Sequence, residues 1–166
     1  MAPILTYEEA LEFDESKIDT MAYMQGRDFQ ITEFPYVTRY PLIGYHAKTR
    51  DGFVELFKNG LFVLNLGFAW DGSSVPIIKQ IHGIFNVKFK KDKRGSGEHD
   101  GIYRLLRFGK LPRGKGIQAI ADQRYCDVCV KDGMSETRAK HRLYWLKKAG
   151  HRSTLPSSRQ PVYYVP

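Results

Sequence analysis

The sequence contains few of the residues that would cross-link a protein covalently. Among its 166 residues only two are cysteines, Cys126 and Cys129, which lie three positions apart on a predicted helix. A single Cys-x-x-Cys pair lacks the second pair that a zinc site would need, and no thioredoxin-like strand precedes it. We therefore interpret both cysteines as small buried thiols.

Long apolar segments are also missing, and we expect no export signal. The longest apolar run, residues 61–70, is interrupted by Asn65 and Gly67 and has about half the length that a membrane span needs. The first four residues, Met1-Ala2-Pro3-Ile4, do not form the basic segment that opens an export signal. We expect no membrane span, and we expect synthesis and first residence in the cytoplasm.

Acidic residues are scarce in the second half of the chain and basic residues are scarce near its beginning. Residues 1–35 hold eight acids and two bases, whereas residues 79–152 hold nineteen bases and seven acids. Such opposite charges would attract one another within one chain or between copies. We predict an acidic N-terminal arm (1–35), a single globular domain (36–150) and an extended C-terminal tail rich in proline and tyrosine (151–166), in which proline excludes a helix.

The chain does contain a strong β-hairpin signal followed by a polar turn. Asn59-Gly60 separates two apolar segments, and a two-residue turn there predicts that Phe57 lies opposite Phe62. The next segment, residues 67–76, places one carboxylate, Asp71, and two hydroxyl groups in a tight turn. An ordinary turn closed by an Asx hydrogen bond is the alternative interpretation of this segment.

Three helices are predicted after this turn. The first opens at residues 95–98, with Ser96 as its N-cap, and carries His99, Asp100 and Tyr103 close together. The second covers residues 112–131, and the third covers residues 135–149 with Gly150 as its C-cap.

These elements predict an α+β fold. A small antiparallel sheet with a hairpin, drawn from about residues 27–66, would precede the three helices. Pro112 suits the first turn of the second helix, and Asp122 lies beside the apolar stripe of that helix. The N-terminal arm and the C-terminal tail would extend from this domain.

Three short motifs follow one another within residues 53–150, namely Gly67-Phe68-x-x-Asp71-Gly72-x-Ser74-Val75-Pro76, His99-Asp100-x-x-Tyr103 and Ala121-Asp122. This part of the chain resembles a family of small proteins that bacteriophages and prophages encode and whose domain has no assigned function. The family pattern is Gly-Phe-x-Thr-Asp-Gly-Ala-Ser-x-Pro, then His-Asp-x-x-Tyr, then Ala-Asp. This chain differs by Trp70 in place of the Thr, Ser73 in place of the Ala, and a longer basic insertion before His99.

The family pattern and the chemistry of the residues imply a common site. Its ligand set would be three carboxylates and one imidazole, which suit a divalent cation that activates water: Asp71, His99, Asp100 and Asp122. Ser74 and Tyr103 would contact substrate or orient the ligands. The predicted catalytic residues are His99, Asp100, Ser74 and Tyr103. The alternative is a structural network in which these polar side chains only satisfy one another.

The resemblance implies a bacteriophage-encoded protein, and the extended termini favour a virion-associated or assembly protein of the tail or particle. Its partners would be other phage structural proteins or copies of itself, and it would be made in the host cytoplasm and carried in the virion. The alternative is a metal-dependent hydrolase that acts on a cell-wall or nucleotide-like substrate. One basic segment predicts contact with an anionic polymer, and its basic residues are Lys88, Lys90, Lys91, Lys93 and Arg94.

Overall fold

The computed structural model describes residues 6–12, 23–25, 30–32, 34–70 and 90–158. The predicted α+β class is confirmed, since antiparallel strands precede the helices of the C-terminal half. The strands are β1 (Tyr23–Gln25), β2 (Gln30–Thr32), β3 (Tyr36–Arg39), β4 (Ala47–Lys48), β5 (Val54–Leu56), β6 (Leu61–Leu64) and β7 (Ala69–Trp70). The helices are α1 (Tyr7–Leu11), α2 (Lys93–Arg107), α3 (Lys115–Lys131) and α4 (Glu136–Ser153).

The strands form two antiparallel sheets. The larger sheet has the order β3-β6-β5-β4 and the smaller one the order β1-β2-β7. After Leu64 the chain passes from the larger sheet to the smaller one. There the Asn65 carbonyl accepts a hydrogen bond of 2.7 Å from the Thr32 hydroxyl. Trp70 then lies beside α2, because its indole N–H donates to Ser96 Oγ at 3.1 Å. The end of β7 is therefore held one turn before His99.

The hairpin forms where the sequence predicts it, but the predicted register is wrong by one residue. Leu56, not Phe57, lies opposite Phe62. The Gly60 amide donates to the Phe57 carbonyl at 2.9 Å, and Gly60 has a φ of 82°. This is a turn followed by a left-handed residue, which adds one residue to the loop and shifts all later pairs.

Both faces of the larger sheet are covered, as the apolar pattern of the hairpin predicts. One face carries Val54, Leu56, Phe62 and Leu64 and packs against α2. The helix approaches closely there because residue 101 is a glycine: a Cβ at Gly101 would lie 2.7 Å from Phe62 Cζ. On the other face Ala10 of α1 packs against Val37, Leu61 and Val63. The first helix of the acidic arm therefore belongs to the core of its own chain.

The helix ends differ from the prediction in three places. Ser96 is not an N-cap: α2 begins at Lys93, and the buried Ser96 hydroxyl donates to the Lys93 carbonyl at 2.9 Å. Pro112 lies outside α3, which begins at Lys115. Gly150 does not end α4, which continues to Ser153 and is followed by a 3₁₀ turn, Pro156–Ser158, so the helix passes the boundary predicted at residue 150. Gly150 lies inside the helix, where a Cβ would be only 2.6 Å from the Tyr103 hydroxyl oxygen.

Three further predictions concern the cysteines, membrane spans and the basic segment. Cys126 and Cys129 are buried free thiols, as expected. None of the described helices combines the length and apolar character that crossing a bilayer requires.

In the basic segment, Arg94 is buried and paired with Asp132, with Arg94 Nη2 2.7 Å from Asp132 Oδ1. Lys91 donates to the Gly133 carbonyl at 2.8 Å. Contact between this segment and an anionic polymer stays a prediction.

Candidate functional site

The predicted His-Asp-x-x-Tyr and Ala-Asp motifs meet between α2 and α3. His99 and Tyr103 are four residues apart on α2, so both side chains lie on the face that contacts α3. There they reach one oxygen of Asp122, whose side chain is 1% exposed. His99 Nε2 lies 2.8 Å from Asp122 Oδ1, and the Tyr103 hydroxyl donates to the same atom at 2.7 Å. The structure thus brings together three of the predicted site residues.

The pairing with Asp122 determines which nitrogen of His99 is basic. A carboxylate only accepts hydrogen bonds, so Nε2 carries a proton and the lone pair of neutral His99 is at Nδ1. Nδ1 lies 3.7 Å from Asp100 Oδ1, a distance longer than a direct hydrogen bond. The Asp100 side chain is 25% exposed, compared with 8% for His99. The basic nitrogen therefore faces Asp100, the more exposed of the two carboxylates.

Charge and burial act in opposite directions on His99. Burial lowers the pKa of His99, but the interactions with the Asp100 and Asp122 carboxylates outweigh this effect and the pKa is raised above its ordinary value. Burial, then the charge of Asp122 and the hydrogen bond to it, raise the pKa of Tyr103 far above its usual range. Tyr103 consequently remains a donor, and it orients Asp122 instead of exchanging protons.

The surrounding helices hold the cluster in place. The ring of Tyr125 contacts the His99 ring edge to face at 5.7 Å between centroids. The Tyr125 hydroxyl accepts a hydrogen bond of 2.6 Å from Arg142 of α4, which also donates to Asp92 at 2.5 Å. Gly150 of α4 closes the other side, since a Cβ there would lie 2.6 Å from the Tyr103 hydroxyl. Two α4 residues thus fix the two tyrosines that contact His99 or Asp122.

A second buried cluster lies next to the site and was not predicted from the sequence. Glu98 is fully buried and accepts from the Tyr36 hydroxyl at 2.5 Å and from Arg124 Nε at 2.8 Å. Arg124 also donates to the Thr38 hydroxyl at 3.1 Å. Glu98 precedes His99 and Arg124 follows Asp122 by two residues, so both clusters join the same two helices. The only signal in the sequence was an acid beside the motif, which does not identify its partner.

The predicted four-ligand metal centre is only partly within the described residues. Asp71 and Ser74 lie outside them. Within residues 6–12, 23–25, 30–32, 34–70 and 90–158, no group of three or more His, Cys, Asp or Glu side chains is arranged to hold a metal ion. His99 Nε2 and Asp122 Oδ1 bind each other, so this pair does not fit as two ligands of one ion. Asp100, the other described carboxylate of the motif, lies on the opposite side of the His99 ring, 3.7 Å from Nδ1.

No family model, no curated protein and no solved structure matches this chain. The resemblance to phage and prophage proteins stays a prediction.

Proposed function

We propose that the protein is a hydrolase in which His99 is the general base and Asp122 orients it. The observation that carries this proposal is the buried 2.8 Å contact between His99 Nε2 and Asp122 Oδ1, which leaves the lone pair of neutral His99 on the side of Asp100. A histidine whose second nitrogen is held by a carboxylate is oriented and made more basic. Tyr103 supports the arrangement by donating to Asp122.

The chemistry would be general-base hydrolysis. Neutral His99 takes a proton from water at Nδ1 as the water oxygen bonds to the electrophilic carbon or phosphorus atom of the substrate. The Asp122 carboxylate stabilises the imidazolium that forms. The proton then passes from Nδ1 to the leaving group as the bond to that group breaks. We retain a cell-wall or nucleotide-like compound as the proposed substrate.

A divalent cation fits this proposal at a different place from the one first expected. Asp100, together with Asp71, would hold the cation, and His99 and Asp122 would act as the base and its orienting group. A bound cation would supply Lewis-acid polarisation of the substrate oxygen. Millimolar magnesium, manganese, calcium or zinc should then raise the melting temperature by mass action. Asp71→Ala or Asp100→Asn should abolish that rise, and an unchanged melting curve with all four ions contradicts metal binding.

The hydrolase proposal is tested by substitutions that preserve shape. Asp122→Asn keeps an oxygen that accepts hydrogen bonds but removes the charge, so hydrolysis should fall by about 10²–10⁴-fold. His99→Gln should lose a similar factor. Glu136→Gln is the matched control, because this exposed carboxylate pairs only with Lys140 at 3.2 Å among the described contacts.

The assay would measure release of product from model esters, phosphodiesters and cell-wall fragments, with each metal ion and with a chelator. Circular dichroism would establish that each variant is folded. A wild-type protein that hydrolyses none of these substrates, or a folded His99→Gln variant with full activity, contradicts the proposal and leaves the structural network as the role of the cluster.

We also retain the virion-associated function as a second proposal. Phe34 and Ile43 are 65% and 67% exposed, and both are large apolar side chains that contact with another protein would cover. Mass spectrometry of purified particles is the direct test, with an unrelated host protein as the contamination control. Absence of the chain from particles would contradict this proposal without affecting the hydrolase.

A further inference from the structure

The exposed face of α4 carries basic and aromatic side chains at helical spacing. The buried face of this helix includes Ala139, Arg142 and Gly150. On the opposite face, residues separated by three or four positions form what we call the α4 stripe: Arg138, His141, Tyr144, Trp145, Lys148 and Arg152. Tyr144 is 53% exposed. At 1.5 Å per residue the stripe is about 21 Å long.

The stripe is positively charged along its whole length. The acid in α4 is Glu136, at the first residue of the helix, where it pairs with Lys140. From residue 137 to residue 153 the helix contains six lysines or arginines, two histidines and no acid. Arg142 is buried against Asp92. The other five lysines and arginines lie at the surface or are partly exposed. This surface is complementary to a polyanion.

The aromatic rings of the stripe contact one another and a neighbouring lysine. The Trp145 indole N–H donates to His141 Nε2 at 3.2 Å. The Tyr144 and Trp145 rings are 5.3 Å apart at 80°, and Lys148 Nζ lies 5.7 Å from the centre of the Tyr144 ring. Rings that are already positioned lose little conformational freedom when a flat ligand stacks on them. The stripe therefore combines stacking surfaces with cations within one turn of helix.

We propose that the α4 stripe binds single-stranded nucleic acid. Bases would stack on Tyr144 and Trp145, and Lys148 and Arg152 would contact phosphates, the combination by which proteins bind single strands without reading sequence. An anionic membrane fits less well, because a helix on a membrane surface inserts a broad apolar face opposite its basic face. The leucines of this part of α4, Leu143 and Leu146, pack instead against the buried cluster around Tyr125.

The test is fluorescence anisotropy of the full chain with a labelled oligothymidine, a duplex, heparin and vesicles containing phosphatidylserine. Tyr144→Ala should weaken binding of the single strand by about tenfold. Lys148→Gln should reduce the slope of log K against log salt by about 0.7. Tyr45→Ala and Lys58→Gln are the controls, since both residues are exposed on the side of the β-strands.

The proposal is supported if the wild-type protein binds the single strand more tightly than heparin or duplex. Tyr144→Ala should remove this preference, and both control variants should keep it. Three results overturn it: equal weakening by the control substitutions, heparin binding as tight as that of the oligonucleotide and unaffected by Tyr144→Ala, or binding to vesicles alone. Melting curves of each variant exclude loss of folding as the cause, because Tyr144 is mostly exposed. The outcome does not depend on the proposed hydrolase activity.

Discussion

Gly150→Ala tests whether α4 closes the site through Tyr103. An alanine Cβ would lie 2.6 Å from the Tyr103 hydroxyl oxygen, closer than such atoms approach, but 3.5 Å from Cζ, which is an ordinary contact. Overpacking a filled position costs about 1–3 kcal/mol. Replacing glycine by alanine within a helix otherwise stabilises the protein by about 0.5–1 kcal/mol. We expect a net destabilisation of about 1–2 kcal/mol, or a melting temperature lower by about 2–8 °C.

The hydroxyl group is the cause, so removing it should remove the effect. In a Tyr103→Phe background, Gly150→Ala should be neutral or stabilising, and the double-mutant cycle should give a coupling energy of about 1–3 kcal/mol. Gly116→Ala is the matched control, because this α3 glycine has no heavy atom within 4 Å of a built Cβ. It should stabilise the protein in either background.

Urea unfolding of the four proteins of the cycle and of the control measures these free energies. If Gly150→Ala destabilises the protein equally with Tyr103 and with Phe at position 103, the proposed contact is not the cause and the reasoning is refuted. In the wild-type background, displacement of the hydroxyl should also reduce any activity that depends on Asp122, since the 2.7 Å hydrogen bond would lengthen.

Two further predictions concern the buried charges. Because the pKa of His99 is raised in the folded state, its stabilising contribution should be complete below its unfolded pKa of about 6.5 and be lost as pH rises through the folded value. The difference in unfolding free energy between wild type and His99→Gln, measured by urea unfolding from about pH 5 to about pH 9, should therefore decrease with pH; a constant difference would contradict this. Glu98→Gln should destabilise the protein by about 3 kcal/mol, since it leaves the Arg124 charge without its partner 2.8 Å away. Exposed Glu136→Gln should change the same unfolding free energy by less than about 0.5 kcal/mol, and equal effects of the two substitutions would show that the Glu98 pair is not important.

The sequence by itself determined the features that depend on neighbouring residues. Asn59-Gly60 located the hairpin. Helical periodicity located three helices and placed His99 and Tyr103 on one face. These features were predictable because turn chemistry and periodicity act within a few residues.

The tertiary structure decided what depends on residues far apart in the chain. Periodicity put Asp122 on a helix, but only the packing of α2 against α3 brought it to His99, 23 residues earlier. The partners of Glu98 are 26 and 62 residues away, and no local pattern identifies them. Gly150 predicted a helix end because glycine commonly caps helices, yet it lies inside α4, where the Tyr103 hydroxyl occupies the space that a side chain would need. The hairpin register likewise depended on the backbone conformation of Gly60, which selects between a two-residue and a longer turn from the same residues.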